Sequence, residues 1–421
     1  MLSRTATSSI FFSTSDRRGQ AASFITRGGG MGILFNTVSF CQFRVVGDQP
    51  KGDLYQWVSG RLAKNGFRFI DNTIDQASSG WVHVDDSSGN SFNSPRAFWR
   101  DHYLAFTLRR DQRRIPSVLF RAYLKKAESE FLAAHPGARR VPKQKREELS
   151  QAVLAALYAK TLPVPSTYDA VWDTRSGLVT FTSLSPKAIE LFENHFKNSF
   201  DGLRLLMLHP FSRAERVLND KFRPALRKAN RAASGDVLNL IQDNQWLGGD
   251  FLLWLTYQTT NQTSEYSINQ AGPGGQGETF VAYLNDRLVL LGGGEGSAQK
   301  VSVVGAQEEF NEVRAALKSG KQITEATLHF EKEENQWKMT LRSRMFHFAS
   351  FKSPPIQIEK DNTVNEADER EAAFYERMSV LEEGLQLFDS LYATFLERRL
   401  GKTWADEEKS IRKWLVSDGI G

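Results

Sequence analysis

Prolines and a glycine cut residues 105–173 into strand, helix, helix and strand, and this punctuation constrains the fold more than any other stretch of the chain. Tyr103, Ala105 and Thr107 alternate with Leu104, Phe106 and Leu108, the period of a strand. Pro116 and Ser117 then open a helix, because proline is tolerated in a first turn and serine caps. Its apolar stripe is Phe120, Leu124, Ala127 and Phe131. Pro136-Gly137 breaks that helix. A second starts near Pro142, carries Leu149, Val153 and Leu157 on one face, and is stopped by Pro163 and Pro165.

Charge on this segment is one-sided. From Arg96 to Arg146 there are fourteen basic residues against four acidic ones, Asp101, Asp111, Glu128 and Glu130. Arg109, Arg110, Arg113 and Arg114 crowd the end of the strand, Arg121, Lys125 and Lys126 follow on the first helix, and Arg139, Arg140, Lys143, Lys145 and Arg146 surround the turn. So basic a block on an ordered hairpin points to a polyanion, since lysine and arginine neutralise phosphates without reading sequence. A solvated helical face is the competing reading. Arg213, Arg216, Lys221, Arg223, Arg227, Lys228 and Arg231 make a second basic stretch over 211–231, which Pro224 is expected to kink or divide. Within it Lys221, Arg223, Arg227 and Lys228 are the second tier of phosphate contacts.

A family resemblance rests on the order of several short motifs. Gly80-Trp81-Val82 precedes the basic strand end. Ile115-Pro116-Ser117 opens the hairpin, Leu162-Pro163 closes it, and Trp172-Asp173 with Gly177 follows. Gly320-Lys321 with Ile323-Thr324 leads into an alternating strand, and an amphipathic helix closes the chain. Together, over about Met31 to Gly401, these resemble the RdgC family of bacterial recombination-associated DNA-binding proteins. The resemblance implies an α+β homodimer that closes into a ring around double-stranded DNA. Such a ring binds with little sequence preference, limits access of the RecA recombinase, and resides on the cytoplasmic nucleoid. In the family, part of the subunit contact comes from around this hairpin. The segment between Pro163 and Trp172 is shorter than the family pattern, which puts Val164–Tyr168 in doubt as a contact.

The rest of the chain reads as α+β, with mixed or antiparallel sheets. Residues 33–46 predict a strand, Leu54, Val58 and Leu62 a helix, and Phe67, Phe69 and Trp81–Val84 further strands. Ala170–Trp172 and Leu178–Thr182 are strands joined by a turn. A helix with Ile189, Phe192 and Phe196 inward and a strand at Leu203–Leu208 complete a βαβ-like run. Asp250 is expected to cap a short helix through Leu252, Trp254 and Leu255. A helix over 307–318 and a meander at Thr324–Phe330, Trp337–Leu341 and Met345–Phe351 follow. From Glu359 the sign reverses to fifteen acidic against nine basic residues, and Phe374, Met378, Leu381, Leu385, Phe388, Leu391 and Phe395 form a helical stripe that needs a partner. The expected division is therefore 1–30, 31–358 with the hairpin at 109–163, and an acidic helical region at 359–421. Residues 1–30, rich in Ser, Thr and Arg, read as a disordered extension: either a transit peptide or a start placed upstream of Met31.

Enzymatic readings find little support. The glycine clusters at 272–277 and 292–296 lack the Lys-Ser/Thr that ends a phosphate-binding loop. The seven histidines are scattered, and Cys41 is alone, which excludes an internal disulfide and fits a reducing cytosol. A metal-dependent exonuclease needs converging carboxylates. Asp85-Asp86 and Glu331, Glu333 and Glu334 are the candidates, in a polar loop and at a turn where acids are ordinary. No apolar run approaches the ~18 residues of a membrane span. The sequence thus reads as a non-catalytic DNA-binding protein without a cofactor. The alternatives are an exonuclease of recombination and an oligomeric scaffold whose hairpin meets an acidic protein.

Overall fold

A computed structural model describes residues 32–48, 50, 52–294, 297–306, 310–356 and 365–417. The readings for residues 1–30 and for 359–364 lie outside them. The chain runs β1 (Thr37–Gly47), α1 (Leu54–Lys64), β2 (Ala77–Val82), β3 (Trp99–Arg100) and β4 (Tyr103–Gln112). The hairpin α2 (Ser117–Ala134) and α3 (Lys143–Lys160) follows, then β5 (Val164–Asp173), β6 (Leu178–Phe181), α4 (Pro186–Ser199) and β7 (Leu203–Met207). Helices α5 (Pro210–Val217), α6 (Arg223–Ala229), α7 (Val237–Asp243) and α8 (Trp246–Asn261) lead to β8 (Glu265–Ser267), β9 (Thr279–Gly294) and β10 (Ser297–Val304). The chain ends with α9 (Asn311–Lys318), β11 (Gln322–Lys332), β12 (Asn335–Arg342), β13 (His347–Lys352), α10 (Glu366–Arg399) and α11 (Trp404–Val416).

The fold is α+β. One antiparallel sheet has the order β10-β9-β11-β12-β13-β1-β6-β5-β4-β2, with β3 on β4, β7 on β1 and β8 on β9. β1 joins its halves: Val38 and Phe40 pair with Phe351 and Phe348 of β13, while Cys41–Arg44 pair with β6 and Phe43–Gly47 with β7. β6 and β7 both run antiparallel to β1, so α4 is the crossover of a βαβ unit split by β1. Residues around Phe67 and Phe69, expected as a strand, make only a bridge from Gly66 to Trp81.

Period-2 alternation sends successive side chains to opposite faces, and each face is buried. Val38, Phe40, Tyr103, Ala105 and Val171 belong to the larger core, which also takes in α5, α8 and α10. Cys41, Phe43, Leu104, Phe106, Ala170 and Trp172 belong to the smaller core beneath α1 and α4. The stripe of α10 docks on the body, with Phe374, Met378, Leu381, Leu385, Phe388, Leu391 and Phe395 all buried there. Phe348 meets Phe388 edge-on at 5.1 Å between ring centroids. Asp250 does not cap a helix; α8 begins at Trp246, and Asp250 reaches Arg399 at 3.0 Å.

The hairpin is an insertion at the end of a β-ladder. β4 and β5 pair from Tyr103↔Asp173 to Gln112↔Val164, and the chain leaves β4 for α2 and returns from α3 into β5. α2 buries no residue and α3 buries only Leu157. The two helices therefore stand out from both cores, held by each other and by their root.

Candidate nucleic-acid interface

The four arginines at the root of the hairpin divide by the strand pleat. Arg109 and Asp111 share a face of β4. Arg109 Nε and Nη2 donate to Asp111 Oδ1 and Oδ2 at 2.8 and 2.7 Å, and Nη1 donates to the Ser87 carbonyl at 2.8 Å. The guanidinium also lies 4.5 Å from the Phe67 ring and 5.0 Å from that of Phe69. Hydrogen bonding to the buried Asp111 carboxylate raises the Arg109 pKa above its ordinary value. Arg113 is only 2 % exposed. Its Nε donates to Thr161 O at 2.7 Å, Nη1 to Asp75 O at 2.5 Å, and Nη2 to Ile70 O and Asp71 O at 2.8 and 3.2 Å. Arg109 and Arg113, read from sequence as phosphate contacts, thus have their donors committed inside the protein. Arg113 clamps the 70–75 loop to the C-terminal end of α3. Arg110 and Arg114 are the free pair, with no ion pair among the described residues.

Farther out, Arg121 and Lys125 on α2, Arg139 and Arg140 in the turn, and Lys143 at the start of α3 are exposed and carry no ion pair among the described residues. Lys126 lies 3.9 Å from Glu130, Lys145 lies 2.9 Å from Glu148, and Arg146 Nε lies 2.7 Å from Glu128, bracing α3 against α2. Exposed pairs of this kind are worth about 0–1 kcal/mol, so a phosphate can compete for those cations. The second tier divides too. Arg223 pairs with Asp220 at 2.6 Å, whereas Lys221, Arg227 and Lys228 are exposed. Arg223 and Arg227 line a cleft of about 600 Å³ with Arg44 and Arg216, and Glu215 is its one carboxylate. Arg44 escaped the sequence reading because it is a single cation on β1, a strand otherwise read for its core.

Residues 55–220 match the family model described as "Putative exonuclease, RdgC". That segment belongs to the RdgC family. The match supports a recombination-related, DNA-associated protein. The matched stretch runs from α1 past α5 and contains the whole hairpin. The Gly320-Lys321 motif and the closing helix lie outside it. No curated protein matches the chain.

The carboxylates singled out for an exonuclease do not converge in the RdgC-family domain or beyond it. Asp85 pairs with the buried Arg100, and Asp86 accepts from Ser88 N at 2.9 Å. Glu331 accepts from Tyr283 Oη at 2.8 Å, and Glu333 sits in the turn after β11 with φ of 53°. Among the described residues no group of three or more His, Cys, Asp or Glu side chains is placed to hold a metal. Cys41 is buried beside Glu193, and desolvation pushes its thiol pKa far up, which makes it unreactive at neutral pH. Many acids of α10 and α11 are engaged by the body: Glu382 by Tyr103, Glu383 by Lys332, Asp389 by Arg213 and Glu407 by Trp254. No described helix is long and apolar enough to cross a membrane.

Proposed function

We propose that this protein binds duplex DNA through backbone phosphates, without sequence preference and without cleaving it, and that the basic hairpin is the main contact. The observation that carries this reading is the set of cations Arg114, Arg121, Lys125, Arg139, Arg140 and Lys143, exposed and without an ion pair among the described residues, on an insertion that stands clear of both cores. Phosphate contacts need charge and reach, and they leave base edges unread. The same hairpin exposes Val118, Leu119 and Tyr123 on α2, and Leu162 and Val164 at its base. An apolar strip beside a basic one fits contact with a second copy, so that two hairpins close a ring around the duplex and limit access of the RecA recombinase.

The test is a salt titration of the full chain on a labelled random duplex, with and without magnesium. Each phosphate neutralised adds about −0.9 to the log–log slope. Replacing Arg121, Lys125, Arg139 and Arg140 with alanine should flatten the slope by up to about 3.6 if each meets one phosphate. Absence of binding at low salt would leave the scaffold reading in its place. Shortening of the DNA with magnesium would establish the exonuclease.

A further inference from the structure

We infer that the root of the hairpin holds a built phosphate seat, formed by Arg110, Arg114 and Lys187. This deepens the DNA reading above and rests on it. Three separate pieces of chain make the seat. Arg110 lies on the α4 face of β4, opposite Ser166 of β5, and one pleat away Leu108 stands opposite Tyr168. Arg114 follows the strand end. Lys187 comes from the first turn of α4, a helix of 14 residues. These side chains line one cavity of about 360 Å³, together with the polar groups of Ser166, Tyr168 and Ser185.

The chemistry of the lining is one-sided. No carboxylate lines the cavity, and none of its three cations has an ion pair among the described residues. Glu190 and Glu193, also on α4, are not part of the lining. Like charges gathered by the fold without a counter-ion repel one another, so the arrangement is stabilised by an anion brought from outside. Hydroxyls supply donors to the remaining oxygens of a phosphate. The start of α4 does not oppose it: no acid occupies the first turn, and the positive end of the helix dipole carries no local counter-charge. A single inorganic ion would leave most of the volume empty, whereas a phosphate carried on its sugar fits a cavity at the low end of the roughly 300–1,000 Å³ usual for ligand sites. The ligand is therefore a phosphate group of a nucleic-acid strand, seated where the duplex passes from the hairpin onto the body.

The experiment compares the full chain with Arg110→Gln/Arg114→Gln/Lys187→Gln and with a tip variant, Lys125→Gln/Arg139→Gln/Arg140→Gln. Salt titrations on the same duplex are read beside thermal melts with inorganic phosphate. The root variant should flatten the slope by about 0.9 for each seated phosphate while melting like the parent, and Arg110→Lys/Arg114→Lys should restore it. A root variant with the parental slope, beside a tip variant with a flatter one, overturns the seat and keeps DNA binding. If the parent binds no duplex, a melting shift by inorganic phosphate that the root variant lacks supports the seat for free phosphate. The absence of that shift as well overturns it.

Discussion

Arg113 offers the sharpest test of how the cations divide. Replacing it with methionine keeps the bulk of the stem and removes the guanidinium that serves four carbonyls, those of Ile70, Asp71, Asp75 and Thr161. Hydrogen bonds from a charged donor are worth about 1.5–3 kcal/mol each, and a carbonyl left buried without a partner costs about 1–3 kcal/mol. Against that stands relief of the several kcal/mol it costs to bury the cation. Water reaching those carbonyls that lie nearest the surface reduces the penalty further. A net loss of about 3 kcal/mol follows, in the range typical of a broken buried polar network. Urea denaturation followed by tryptophan fluorescence suits the measurement, because Trp81 and Trp172 lie in the smaller core from which β4 and β5 lead to the hairpin. The midpoint should fall, while the folded variant keeps the parental salt slope on duplex DNA. Undiminished stability with a slope flatter by about 0.9 would refute the reasoning and put the Arg113 guanidinium on a phosphate.

Three further outcomes are expected. Burial holds His209 down to about 4, so below about 6.5 the unfolded chain takes up a proton that the folded chain refuses; stability should fall between pH 6.5 and 4 by up to about 3 kcal/mol, and His209→Gln should lessen that fall, whereas parallel pH profiles would contradict the assignment. Gly384 lets α10 approach the sheet, since a Cβ there would lie 2.5 Å from Trp337 Cδ1 and 2.7 Å from Phe351 Cζ; Gly384→Val should cost about 1–3 kcal/mol or more, and an unchanged melting temperature would show that the helix can shift. Under the proposed ring contact, Val118→Glu/Tyr123→Glu should lower the sedimenting mass from that of two copies to one with little loss of stability, because both side chains are exposed; an unchanged mass would remove the hairpin from the subunit contact.

Features set by local periodicity were legible in the sequence. The prolines at 116, 142 and 163 bound α2 and α3 within a few residues, and the steps of three and four from Phe374 to Phe395 marked α10 as a helix with a buried stripe, although from Gly384 to Leu396 it is buried almost all round. Pro224 falls in the first turn of α6, where a missing N–H is tolerated, and the break from α5 comes earlier, at 218–222. Partners brought from far away were not legible. Asp250 looked like a cap because Arg399, its partner in space, is 149 residues distant. The carbonyls that occupy Arg113 come from 38 to 48 residues away. The pairing of Arg109 with Asp111 was within reach, since residues two apart on a strand share a face.

This difference in range bears on how a basic segment should be read. A run of arginines states how much positive charge a surface element can carry, but the fold decides how much remains to offer. At the end of β4, two of four arginines are consumed at home, and the consumption has a function. Arg109 fixes the strand end against Asp111, and Arg113 ties the return of α3 to the 70–75 loop, so an insertion with a single fully buried side chain is held at its root. Beyond that anchorage Arg121, Lys125, Arg139, Arg140 and Lys143 carry no ion pair among the described residues, and the root does not depend on them. Their mutual repulsion then favours a polyanion over empty solvent. The stability of the root and the affinity of the exposed cations are therefore separable, and losing Arg113 or losing Arg121 and Lys125 should damage different properties of the same protein.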